Sequence, residues 1–127
     1  MPVLVLMIGL LSMSLARGDD SALISKAIAD INAAAKTNKT RMLRIIVINT
    51  NVAAATLEAE QSRTGLTLGE VYVAHSLALA TKKSFDEIVA LQAKGQSWAR
   101  IAATHNVSLR GSTAALKDML KNGKQDD

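Results

Sequence analysis

The chain of 127 residues contains no cysteine and only one each of Phe, Tyr and Trp. Without cysteine there can be no disulfide, thiolate zinc site, cysteine nucleophile or lipid joined through a cysteine. That absence suits reducing and oxidising compartments alike. The shortage of aromatics goes with a 49% apolar composition rich in alanine. Such a chain favours closely packed short helices; a β-sandwich would want aromatic and β-branched strands. Concentrated charge is missing too. Fifteen Lys and Arg face eleven Asp and Glu, giving +4, and no basic run exceeds two residues. This surplus fits an ordinary protein surface and not a polycationic arm.

The length allows one domain. A domain of roughly 110 residues buries somewhat less than about 70% of its unfolded surface. That gives a modest core and leaves no room for a deep ligand cavity as well.

Residues 1–18 read as a signal peptide or N-terminal anchor. Met1 to Ala16 is uncharged and almost wholly apolar. About 15 apolar residues are short for a membrane span and right for the apolar region of a signal peptide. Ser14 and Ala16 supply small residues at the positions a signal peptidase reads, and Arg17 to Asp20 are polar. No Lys or Arg precedes the apolar run. A buried N-terminal helix is the alternative.

Residues 19–123 read as a single helical domain, followed by a charged tail over 124–127. Ser21 is expected to cap a helix over 22–36, with Leu23, Ile24, Ala27, Ile28, Ile31, Ala34 and Ala35 at the spacing of one buried face. Thr37 to Thr40 is a polar break. The run Ile45-Ile46-Val47-Ile48 is β-prone, yet the chain offers it no partner strand, so 41–49 is read as a buried helix. Another helix covers 53–63, with Gly65 as its stop.

Thr67-Leu68-Gly69-Glu70 and Ser84-Phe85-Asp86-Glu87 both match a capping box, opening helices at Leu68 and Phe85. The first should run to Thr81, with Val71, Ala74, His75, Ala78 and Leu79 near one face. The second should run to Lys94, where Gly95 ends it. Ser97 caps 98–105, Asn106 is a left-handed stop, and Ser112 caps 113–121. The expected fold is all-α: five or six short capped helices packed as a small orthogonal bundle. Helices this short depend on one another for stability.

The residues Gly69-Glu70-Val71-Tyr72, Ser84 to Leu91, Gly95 to Ala102 with Trp98, and Gly111-Ser112 form a spaced pattern over about half the chain. This pattern resembles a group of small, exported, all-helical bacterial proteins of unassigned function. It implies an all-α fold and export, and no activity. The stretch Gly95 to Ser108 is also similar to the first helix and turn of a helix-turn-helix. A DNA-binding module over 97–121 is therefore the alternative reading. Its reading face would offer Thr113, Lys117 and Lys121, with no Asn, Gln or Arg suited to base edges. An exported chain would not meet DNA.

Catalytic constellations are sparse. His75 and His105 have no sequence-local third ligand, so neither metal nor cofactor is expected. Ser76 beside His75 points elsewhere on a helix, and no Gly-x-Ser-x-Gly occurs. Glu58 and Glu60 could form a carboxylate pair. Asp86 and Glu87 belong to a helix's first turn, where acids are stabilising without catalysis. The glycines form no phosphate-cradling loop. A small hydrolase using His75 or His105 is the remaining enzyme option, and the expectation is that the chain is not an enzyme.

Trp98 admits two readings. It is a partner anchor or a core residue set against Phe85 and Tyr72. The candidate contact residues are Trp98, Arg100, Arg110, Lys117 and Lys121. The expected role is a structural or interaction one, periplasmic or secreted, toward an unidentified protein or envelope component. Membrane contact is expected only through an uncleaved N-terminal segment, and the residues argue against nucleic acid.

Overall fold

The computed structural model describes the backbone of residues 19–126 and the side chains of residues 20–122; the expected leader lies outside the described residues. Among the described residues seven helices follow one another: α1 Asp19–Thr37, α2 Lys39–Thr50, α3 Ala54–Thr64, α4 Leu68–Thr81, α5 Phe85–Ala93, α6 Trp98–Thr104 and α7 Arg110–Asp126. The all-α architecture is as expected. The helices among the described residues number seven, against the expected five or six.

Helix α4 is the centre of the molecule. Leu68, Val71, Tyr72, Val73, Ala74, Ser76, Leu77 and Ala78 are all buried along it. A helix apolar all round belongs inside a protein, and α4 packs against α1, α2, α3, α5 and α6. One-sided spacing is a poor guide on such a helix. Leu79, expected on its inner face, is 63% exposed in the last turn.

The α1–α4 pair is the most extensive helix contact, and Gly69 makes it possible. A Cβ at Gly69 would stand 2.6 Å from the Ile28 carbonyl oxygen and 2.8 Å from its Cα. Asn32 of α1 accepts from the Gly69 N–H at 2.9 Å, satisfying a donor that the first turn of a helix leaves open. Ile24, Ala27 and Ile31 carry the buried face of α1.

The β-prone run is helical because helical spacing gives it a single buried stripe. Met42, Leu43, Ile45, Ile46 and Thr50 are buried, whereas Ile48 is 64% exposed. Asn38 accepts from Arg41 N–H at 3.1 Å and opens α2. Asn51, at φ 60°, closes it by donating its N–H to the Val47 carbonyl. The polar break thus shrinks to one residue. Helices α2 and α3 meet at 102°, and Gly65 at φ 76° ends α3.

Both capping boxes form. At Ser84 the backbone N–H and the hydroxyl hydrogen-bond the Glu87 carboxylate and hold it below the usual carboxylate range. A depressed carboxyl stabilises the fold above its unfolded pKa, and that contribution fades as acid protonates Glu87. Two other caps differ from expectation. Helix α1 already includes Asp19 and Asp20, so Ser21 lies inside the helix. Helix α7 begins at Arg110, with Ser112 inside it and the Ser108 hydroxyl accepting from Arg110 N–H at 3.2 Å. The Leu109 carbonyl accepts the first helical bond from Thr113, and buried Leu109 anchors the turn. At its far end α7 continues through Asn122 and Gly123 to Asp126. A glycine inside a helix costs about 1 kcal/mol, which a long helix tolerates.

Candidate functional site

Helix α7 leaves α6 across residues 105–109 and packs on α1 and α2. Three side chains fix it there. The Tyr72 hydroxyl donates to the Ser112 carbonyl at 3.0 Å. The Arg41 guanidinium donates to the Leu120 carbonyl at 2.9 Å, and Asn49 Nδ2 donates to Met119 Sδ at 2.9 Å. Burial pushes the Tyr72 phenol above its ordinary value, offset in part by a hydrogen bond with Ser76. The phenol therefore remains a donor at neutral pH.

Between α1 and α7 this arrangement leaves an apolar groove of about 240 Å³. Leu23 and Ala27 line it from α1, and Leu116 and Leu120 from α7. Lys26, Asp30, Arg110 and Lys117 border it. Lys26 Nζ lies 3.3 Å from Asp30 Oδ2, one turn along α1. Among the described residues neither Arg110 nor Lys117 has an ion-pair partner. Residues seven and eleven apart fall close together around a helix. Arg110, Lys117 and Lys121 accordingly form one stripe about 16 Å long on α7, and all three are exposed.

The predicted contact residues therefore separate into groups. Arg110, Lys117 and Lys121 share this stripe, the first two at the groove. Arg100 is exposed on α6 and does not line the groove. Trp98 is only 8% exposed and belongs to the core.

A second polar feature joins α3 to α4. His75 Nε2 and Glu60 Oε1 are 2.6 Å apart, with side chains 11% and 10% exposed. Phe85 stacks on the imidazole at 4.5 Å between ring centroids. The Arg63 guanidinium stands 6.0 Å from the Phe85 centroid and 3.2 Å from Asp86. Glu60 is thus a partner for His75, while Glu58 faces Lys39 at 3.5 Å; the two carboxylates do not pair. Glu60 had a signal in the sequence: it follows Leu57 by three residues on the inner stripe of α3.

Glu60 can orient the imidazole as the acid of a catalytic triad does. Among the described residues, however, no hydroxyl hydrogen-bonds to His75. The pair joins two helices. Removing one partner leaves the other partly buried and unmatched, so Glu60→Ala is expected to cost about 1.5–3 kcal/mol in urea unfolding. A double-mutant cycle with His75→Ala should show coupling above about 0.5 kcal/mol; additive losses would contradict the role given to the pair. His105 closes α6, with its Nδ1–H donating to the Ile101 carbonyl at 2.8 Å.

Among the described residues no three His, Asp or Glu side chains gather as a metal site. Nor is any single helix there long and apolar enough to cross a membrane. No protein-family model, curated protein or solved structure matches the chain.

Proposed function

We propose that this chain is an exported, non-enzymatic helical protein that acts by contact with a component of the cell envelope, through the groove between α1 and α7. The observation that supports this reading is the site itself. Two of the cations singled out in the sequence, Arg110 and Lys117, stand at one apolar groove without partners among the described residues. Apolar surface gives affinity, and unpaired charge at its border gives selection and orientation. Export is supported by the uncharged apolar stretch Met1 to Ala16 and the polar residues after it. The helix-turn-helix alternative needs α6 and α7 to act as one unit, whereas α7 packs on α1 and α2.

The test is partition of the chain among cell fractions. Wild-type protein is expected to sediment with the envelope at low ionic strength and to be released by about 1 M salt, where the screening length is about 3 Å. Arg110→Glu combined with Lys117→Glu should be recovered free of the envelope without added salt. Partition of the double variant identical to wild type would contradict the role of the groove.

A further inference from the structure

We infer that the envelope component held by the groove between α1 and α7 is a single-chain anionic amphiphile of the fatty-carboxylate type. The alkyl chain would lie on Leu23, Ala27, Leu116 and Leu120, with the head group between Arg110 and Lys117. This inference deepens the reading of the groove as the contact surface and rests on it.

Three observations select the ligand class. The first is size: about 240 Å³ is below the range of drug-sized pockets and suits one alkyl chain. An amphipathic helix would have to seat several side chains along its face. The second is chemistry. Leucine and alanine side chains make up half of the lining, and Thr113 and four charged residues make up the rest, the mixed character that an amphiphile requires.

Charge is the third. Three cations border the groove against one carboxylate, a local surplus of two. Asp30, the group that would repel an anion, is engaged by Lys26 on its own helix. Arg110 and Lys117 lie two turns apart on α7, about 10 Å along its axis. Their long side chains can converge on one head group. The stretch Met1 to Ala16 carries no charge. As an occupant it would cover the apolar floor and leave both cations unanswered. The large apolar residues that protrude from the surface, Ile48 and Leu79, are outside the groove. A concave apolar floor favours a single chain entering it over a flat membrane face resting on it.

The site is also pre-organised. Tyr72, Arg41 and Asn49 hold α7 in position before any ligand enters. The backbone ordering cost at binding is correspondingly small.

Calorimetric titration of the full chain with dodecanoate, below its micellar concentration, tests the inference. Saturable binding of one molecule per chain is expected. Affinity should fall as the chain is shortened, by up to roughly fourfold for each methylene that the groove fully buries. Arg110→Ala with Lys117→Ala should bind at least about tenfold more weakly at an unchanged melting temperature. Dodecyltrimethylammonium should likewise bind at least about tenfold more weakly than dodecanoate.

Absent saturation, equal binding of the two head-group charges, or an unchanged double variant would each overturn the inference. So would binding to phosphatidylglycerol vesicles without binding to dodecanoate, which would make the surface a membrane contact. The two readings fail separately. An envelope-associated chain that ignores dodecanoate overturns the ligand alone, and a cytosolic chain that binds it overturns the envelope role alone.

Discussion

Trp98→Ala is expected to destabilise the protein by about 3–5 kcal/mol, the usual cost of truncating a large buried aromatic. Trp98 opens α6, a helix of seven residues whose Trp98, Ile101 and Ala102 are buried. A helix of two turns has no independent stability and is held by these side chains. Its contacts with α1, α4 and α5 therefore depend on the ring. Chemical denaturation read by far-UV circular dichroism measures the loss. Domains of this size are commonly stable by only about 5–15 kcal/mol, so the variant should melt far earlier than wild type. Unchanged stability would place Trp98 on the surface and restore it as a partner anchor.

The second large effect is expected at Gly69. Gly69→Val places side-chain atoms where the backbone of Ile28 already stands, at 2.6 Å from its carbonyl oxygen. A flexible side chain can move aside, but helix backbone cannot without shifting the helix. Overpacking of a well-filled core costs about 1–3 kcal/mol and at times more. Here α1 and α4 must separate along their main contact, and the Asn32 hydrogen bond to the Gly69 N–H stretches with them. The expected loss is about 3 kcal/mol or more. Gly65→Ala provides a control. Gly65 has open space around the Cβ position and a positive φ of 76°, so the cost there is conformational, about 1 kcal/mol. Equal losses at the two glycines would show that close helix approach is not what Gly69 provides.

These two sites show which parts of the fold were legible in the sequence. The helix starts at Leu68, Phe85 and Trp98 follow from the hydroxyls of Thr67, Ser84 and Ser97, because a cap is written in neighbouring residues. Gly65 and Asn106 mark helix ends for the same local reason, and Asn106 does adopt φ 58°. The helical state of 39–50 was inferable because a lone β-prone run without a partner strand has nowhere to pair. Leu79 was misplaced because α4 is enclosed on nearly every side, so its pattern has no single inner face. The start of α7 was misplaced because two serines compete. Leu109 decides between them by burying, and burial is settled by the tertiary fold.

The site was legible only in part. Arg110, Lys117 and Lys121 share a stripe that helical spacing alone can draw. The groove beside them needs Leu23 and Ala27 from α1, nearly ninety residues earlier in the chain. No local pattern announces that α7 returns to α1. The Glu60–His75 pair and the Asn32–Gly69 contact are of the same kind, each a polar residue whose partner is supplied by another helix.

The central proposal is that an exported helical scaffold presents this groove to the envelope, and one measurement tests it most directly. Cells producing the chain are fractionated and the N-terminus of the recovered protein is sequenced. The expected result is recovery outside the cytoplasm with an N-terminus close to Arg17, after removal of the apolar stretch. An intact chain beginning at Met1 and recovered from the cytosol would contradict it.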